Sequence, residues 1–338
     1  MRFPLLLTLA VLTLGGCGKP MPQTVSRTPP LNMARLDADI GAIAKAAAPG
    51  VLGVGLINLE SGQSWSLNGE RRFPMQSVFK APLGAAALAE VDGGRLDLDE
   101  TLKIGAQDLS PPHSPIADAW PARTDYTLRE LLTAAVGESD NTAADVLMRR
   151  IGGPGVVNAW LQDKHVQEVR IDRYERELQP QIAGMASFRP QWKGQAAFNA
   201  ALNSVPPDLR RKATAAYLAD PRDTATPSGM LDFLYRLEDG QLLKPASKAL
   251  LLATMSDSTR ISGRLRAGLP ANVKLAHKPG SARTDLGMTP ATNDVGIFTL
   301  PDGRRYAIAV FLSGSTLDGA GRDKVIADVA RVVAHSLG

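Results

Sequence analysis

The sequence predicts a two-lobed α/β fold, an antiparallel sheet flanked by N- and C-terminal helices with an all-α lobe inserted into it. Three observations carry this. Strand-like runs occur only near the two ends: Val51 to Ile57 and Gln63 to Leu67 early, then Val273 to Ala276, Val295 to Leu300 and Tyr306 to Leu312 late. The region between, from about Ala81 to Met255, is mostly helical in pattern, with breaks at Gly93-Gly94, Pro111-Pro112, Gly152-Gly153 and Gly240. An amphipathic helix precedes the first strand and another follows the last.

Taken in order, the chain opens on a targeting segment. Met1-Arg2 is basic, Phe3 to Leu14 is mostly apolar and too short to span a bilayer, and Leu14-Gly15-Gly16-Cys17 resembles a bacterial lipobox. Residues 1–16 are read as a signal cut before Cys17, which would carry lipid. An ordinary signal cut a few residues later, discarding Cys17, is the alternative. Either way the chain is expected to be exported, periplasmic and anchored only through that lipid. Cys17 is the only cysteine, so no internal disulfide forms and cysteine-based zinc or thiol chemistry is excluded. Residues 17–33, with Pro20, Pro22, Pro29 and Pro30, read as a tether. Met33 to Ala48 is the first helix, stopped by Pro49-Gly50, and Glu60-Ser61-Gly62 turns the first two strands. Pro301-Asp302-Gly303 turns the last two, and Asp323 to Leu337 closes the chain as a helix. Residues 34–70 and 265–338 thus make the α/β lobe and 71–264 the helical one, with the sheet assembled from both ends. That arrangement puts the start of the helical lobe at the junction, where clefts form.

With 338 residues, 44% hydrophobic and 21% charged, the chain can bury a large core. Its net charge of +4 is scattered, with no basic stripe interleaved with aromatics, which argues against a nucleic-acid partner. Neither His165 nor His335 has metal-ligand spacing to a partner, His277 reads as a packing residue on a strand, and His113 suits either a cleft rim or an exposed loop. No metal or other cofactor is expected.

Chemistry concentrates where the helical lobe begins. Ser77-Val78-Phe79-Lys80 offers a hydroxyl and an amine three residues apart, a spacing that stacks side chains on one helix face. Serine becomes a nucleophile when a neighbouring base takes its proton. A lysine pressed into the apolar run that follows would lose solvation of its charged form and move towards a usable base. The N–H groups of the helix start favour a developing oxyanion. Alone the pattern is weak, since about one S-x-x-K is expected by chance at this length, and a serine capping a helix with a solvated lysine fits equally. Ser139-Asp140-Asn141 is rarer. It offers a hydroxyl that can relay a proton and an amide that can hold a substrate amide, although Ser, Asp and Asn also suit a helix N-cap. Lys278-Pro279-Gly280 lies on a late strand, where a lysine could meet a substrate carboxylate.

These motifs, in this order, resemble the serine β-lactamases of class A, within the penicillin-recognising serine enzymes, whose signatures are S-x-x-K, S-D-N and K-T-G. The resemblance spans about Ala34 to Leu337. It includes Arg173-Tyr174-Glu175-Arg176-Glu177-Leu178, similar to the family's omega loop, Arg222-Asp223-Thr224-Ala225-Thr226-Pro227 at that loop's end, and Asn293-Asp294-Val295-Gly296. It implies hydrolysis of a small-molecule β-lactam by a monomer. Ser77 would form the acyl-enzyme, and Lys80 would activate it directly or in concert with Glu175 through a water. Ser139 would pass the proton to the lactam nitrogen, and Asn141 would bind the substrate's side-chain amide. The N–H groups of Ser77 and Ser281 would form the oxyanion hole, Glu175 would direct water onto the acyl-enzyme, and Arg173 and Asp223 would close the neck of the loop.

Three departures stand out. Pro279 replaces the family's Thr or Ser, removing a hydroxyl and a backbone donor; it is tolerable only if the strand lies at an edge. Arg266 is the candidate to supply compensating charge for the carboxylate. Residues 180–222 exceed the family's loop, with helix-like runs near Gly194 to Leu202 and Asp208 to Leu218, and suit either a lid over the site or a decoration. Gln179 stands where the family has Asn, lengthening the amide that would hold the deacylating water. Two competing readings follow, a D,D-peptidase, against which Glu175 argues, and a penicillin-binding sensor that acylates on Ser77 without turnover.

Overall fold

The computed structural model describes residues 29–256 and 262–337. The export segment 1–16, Cys17 and most of the tether lie outside the described residues.

Helix α1 (Met33–Ala46) leads into β1 (Val51–Asn58) and β2 (Ser64–Leu67). The sheet is completed by β3 (Lys274–Ser281), β4 (Thr289–Thr299) and β5 (Arg305–Ser315), in the spatial order β2-β1-β5-β4-β3 with every neighbouring pair antiparallel. Strand alternation divides β5 between two cores. Tyr306, Ile308, Val310 and Leu312 pack with α1 and the closing helix Gly319–Leu337, whereas Ala307, Ala309 and Phe311 join the core of the helical part. Both faces being covered, the central strands read as nearly continuous apolar runs. One cover of the second face is helix Pro227–Glu238, which packs on β1 and β5 although it lies within the 71–264 stretch read as the helical lobe.

Strands β3 and β4 run longer than their apolar runs suggest. In β4 the extra length is polar, Thr292, Asn293 and Asp294, all buried. In β3 it crosses Pro279, which pairs with Asp294 while the ladder continues to Ser281 opposite Thr292. β3 is an edge strand, so the missing donor costs no ladder bond on the outer side.

The outer edge of β3 faces the chain segment that carries Ser77. A Cβ on Gly280 would stand 2.5 Å from the Met75 carbonyl oxygen and 3.2 Å from the Ser77 nitrogen, so only glycine lets the two approach this closely. Gly280→Ala is therefore expected to cost about 1–3 kcal/mol through overpacking, whereas Gly41→Ala on α1, where nothing lies within 4 Å, should gain about 0.5–1 kcal/mol. Denaturant unfolding of the two variants checks the contrast, and equal effects would refute the close-approach account.

Candidate active site

Ser77 and Lys80 straddle a junction. Gln76–Phe79 is a single 3₁₀ turn, and helix α2 (Lys80–Asp92) starts where it ends. In a 3₁₀ turn residues three apart eclipse, so the S-x-x-K spacing superposes the two side chains more directly than an α-helix would. The turn is pinned on both sides. Asn293 Nδ2 donates to the carbonyls of Pro74 at 2.8 Å and Met75 at 3.0 Å, and the Met75 N–H donates to Asp223 O at 3.0 Å.

Lys80 is fully buried, and its ammonium meets three oxygens from two segments. It donates to Ser139 O at 2.8 Å and Asn141 Oδ1 at 2.5 Å, and forms an ion pair with Glu175 Oε1 at 3.1 Å. Ser139 follows a widened turn at Thr133–Gly137 and has φ of 63°, an uncommon conformation for a residue with a side chain and one that collects at functional sites. Asp140 caps helix α3 (Asn141–Arg150), accepting from Ala143 N at 2.8 Å, so the capping and site readings of the tripeptide both hold. Asn141 spends Oδ1 on Lys80 and donates from Nδ2 to Pro111 O at 3.1 Å.

Glu175 opens helix α4 (Glu175–Ile182) and is fully buried. Asp145 on α3 fixes that helix start, accepting from the N–H groups of Glu175 at 2.7 Å and Arg176 at 3.0 Å and from Ser110 Oγ at 2.5 Å. Four residues on from Glu175, Gln179 Nε2 donates to Glu175 Oε2 at 2.8 Å and to Gln76 Oε1 at 2.9 Å. Opposite, Lys278 on β3 is buried and donates to Ser139 Oγ at 3.0 Å.

Ser77, Ser139, Asn141, Gln179, Lys278 and Ser281 line one cavity of about 380 Å³, with Lys80 and Glu175 beneath it. His113 lies on its rim. Arg173 and Asp223 stand apart, at the neck of the 173–223 loop. Their side chains pair at 2.5 Å, and Asp223 Oδ1 also accepts from the N–H groups of Asp172 and Arg173 at 2.7 and 3.0 Å. The long insertion folds as α5 (Gln195–Asn203) and α6 (Pro207–Ala219), and Phe198, Leu202 and Thr214 line the cavity. It reaches across to the β3–β4 loop through Arg210 to Asp285 at 2.7 Å and Arg283 to Asn203 at 2.9 Å. The insertion packs on the helical lobe through Phe188, Phe198 and Leu202 and at the same time forms a wall of the cleft.

Arg266 does not serve the cleft. Its guanidinium donates to the carbonyls of Val273, Leu269 and Pro270 at 2.7, 3.3 and 2.6 Å. Arg264 is the arginine at the end of β3. It reaches Ser281 Oγ at 2.7 Å, Gly280 O at 3.1 Å and Asn293 O at 2.8 Å, and pairs with Asp323 at 2.7 Å. Two residues along a short helix turn a side chain by about 200°, which separates the two. His277 likewise does more than pack, since its Nδ1 lies 2.8 Å from Asp294 Oδ1. Asp145 escaped the sequence reading although it was findable, as a charge one turn beyond Asn141 between the apolar pairs Ala143-Ala144 and Val146-Leu147. Among the described residues no group of three or more His, Cys, Asp or Glu could hold a metal ion.

Burial pushes the Asp145 carboxyl up to about 7, with the Glu175 charge adding to it and the Ser110 and backbone donors opposing. Unfolded, an aspartate titrates near 4. The folded state binds this proton more tightly, so the stability it gives is full below about pH 4 and is lost as pH rises through about 7. Asp145→Asn should flatten the change in unfolding free energy across that window. Urea titrations at pH steps check this, and profiles that stay parallel would refute it.

Comparison with known proteins agrees with this geometry. The model of the family described as "Beta-lactamase enzyme family" matches residues 35–337. Beta-lactamase VEB-1 of Pseudomonas aeruginosa is 31% identical over 284 residues, 83% of each chain. Extended-spectrum beta-lactamase PER-1 of the same organism is 30% identical over 267 residues, 78% of this chain and 75% of that one. The crystal structure of a β-lactamase from Chitinophaga pinensis superposes with a TM-score of 0.74 at 34% identity, covering 90% of this chain and 99% of that one. An ancestral class A β-lactamase gives 0.71 at 32% identity, covering 89% and 99%.

Proposed function

The chain belongs to the β-lactamase enzyme family, and we propose that it hydrolyses the β-lactam amide bond through a serine acyl-enzyme, as a class A enzyme. The observation that carries this is the buried Glu175 carboxylate, held against Lys80 on one oxygen and Gln179 on the other beneath the cleft that Ser77 enters. A site that only acylates has no ester hydrolysis for that carboxylate to serve. Hydrolysis of the resulting ester does need it, as a base for water.

Ser77 Oγ attacks the lactam carbonyl as its proton passes to Lys80, once that ammonium has given a proton to the Glu175 carboxylate it pairs with, or passes through water to Glu175 directly. The oxyanion is held by the N–H groups of Ser77 and Ser281, each worth about 3 kcal/mol to the transition state. Lys278 donates to Ser139 Oγ, which leaves the Ser139 proton to be given to the departing nitrogen. Asn141 Nδ2 exchanges Pro111 O for the substrate's side-chain amide. Gln179 has both its N–H groups engaged, so its carbonyl oxygen is the group that accepts from the attacking water. Lys278 on the cavity wall would be the cation that meets a substrate carboxylate. Arg264, through Ser281, adds cationic character at the end of β3 where Pro279 lacks a hydroxyl.

The proposal includes location. Leu14-Gly15-Gly16-Cys17 supports export with residues 1–16 removed and lipid on Cys17, the folded part acting as a periplasmic monomer. Radiolabelled palmitate should enter the expressed chain and fail to enter Cys17→Ala; label retained in the variant would exclude Cys17 as the anchor.

Stopped-flow and mass-spectrometric time courses with a chromogenic cephalosporin test the reaction. Steady turnover is expected beyond one equivalent, abolished by Ser77→Ala. Glu175→Ala should slow deacylation by about 10²- to 10⁴-fold and accumulate a covalent adduct on Ser77. A single-equivalent burst and stable adduct in the unmutated chain would instead establish the sensor.

A further inference from the structure

The insertion also reaches the catalytic base by a second route. Tyr217, near the end of α6, is buried, and its hydroxyl accepts from Gln76 Nε2 at 2.6 Å. Gln76 Oε1 accepts in turn from Gln179 Nε2 at 2.9 Å, and that same nitrogen donates to Glu175 Oε2 at 2.8 Å. Gln76 is itself buried, immediately precedes the nucleophile and has φ of 48°, a conformation that costs energy for a residue with a side chain. The far side of Tyr217 is held as well, with the Arg173 guanidinium 6.0 Å from its ring centroid and Arg173 paired to Asp223.

The direction of this chain matters. A primary amide can face a neighbour with either its oxygen or its nitrogen, and the two orientations have similar shape. The Tyr217 hydroxyl accepts from the Gln76 nitrogen, which turns the Gln76 oxygen towards Gln179. That oxygen holds the Gln179 nitrogen on the Glu175 side, and the Gln179 carbonyl is then presented for water. Without the phenol oxygen, the Gln76 N–H would be buried unpaired, which is costly. Only a coupled turn of both amides would pair it again, with Gln76 Nε2 donating to the Gln179 oxygen, and that turn takes the Gln179 N–H groups away from Glu175. Burial keeps the phenol above its usual titration range, so the hydroxyl stays neutral.

We propose that Tyr217 is a positioning residue for the hydrolytic step, fixing through Gln76 and Gln179 the orientation of the amide that serves Glu175 and its water. The inference rests on the hydrolase reading above. It also gives the insertion a part in the chemistry besides its place in the cleft wall.

Tyr217→Phe tests it, because the ring against Arg173 is kept and only the hydroxyl is lost. Acylation and deacylation are measured separately in the full chain with a chromogenic cephalosporin. Deacylation should slow about 10-fold, the scale of one lost hydrogen bond. The acyl-enzyme should accumulate, and kcat and KM should fall together so that kcat/KM stays within about 2-fold. Gln76→Met, which removes the middle amide without adding bulk, should give the same pattern. Tyr217→Phe combined with Gln179→Met should be no slower than Gln179→Met alone. Unchanged kcat and KM in Tyr217→Phe, losses that multiply in the double variant, or a fall in kcat/KM tracking a lowered melting temperature would each overturn the proposal while leaving the hydrolase reading intact. An unmutated chain without turnover would overturn both.

Discussion

The Lys80 ammonium is fully buried, and a charge removed from water costs several kcal/mol unless it is paired and hydrogen-bonded. Its three oxygens come from the Ser139 backbone and the Asn141 amide on one segment and the Glu175 carboxylate on another, both far from Lys80 in the chain. Satisfying this one charge therefore draws the nucleophile turn, the start of α3 and the start of α4 to a common point. The cleft is what remains between them and β3. Removing the Glu175 carboxylate would leave an uncompensated buried charge, so the ion pair holds these segments together.

The 173–223 loop shows how such a site tolerates a long excursion. Closing a longer loop adds little entropy cost, since each doubling of length costs only about 0.6 kcal/mol. The neck is secured by the Arg173 to Asp223 pair together with two backbone N–H groups on the same carboxylate. An exposed pair would contribute little; this one is buried and multiply bonded. With the neck held, the inserted helices are free to be used, and they form a wall of the cavity and latch onto the β3–β4 loop.

The edge of the sheet obeys a related economy. β3 needs its inner side for pairing with β4 and its outer side for the approach of the Ser77 segment, which Gly280 permits. Pro279 between them gives up a donor that the ladder does not use. The polar load at this edge is carried by Arg264, bonded to the ends of both β3 and β4 and paired to Asp323 on the closing helix.

Read from the sequence, the architecture was plain because strand patterns at the ends and helical patterns between them leave little choice of topology. Ser77, Lys80, Ser139, Asn141, Glu175 and Lys278 were legible because their chemistry depends on short spacings that survive as motifs. The polar part of β4 was not legible, since buried Thr292, Asn293 and Asp294 break the apolar pattern and find their hydrogen bonds on other segments, at Arg322, Pro74 and His277. The choice between Arg264 and Arg266 turned on which side of a short helix faces β3, and the parts played by Asp145, Gln76 and Tyr217 turned on contacts between residues 30 to 141 positions apart. The sequence by itself determined the element types and which side chains gather at the cleft, because periodicity and motif spacing are local. Only the tertiary structure decided which arginine meets the strand, what lines the cleft and which amide faces Glu175, because those follow from how segments distant in the chain pack and pair.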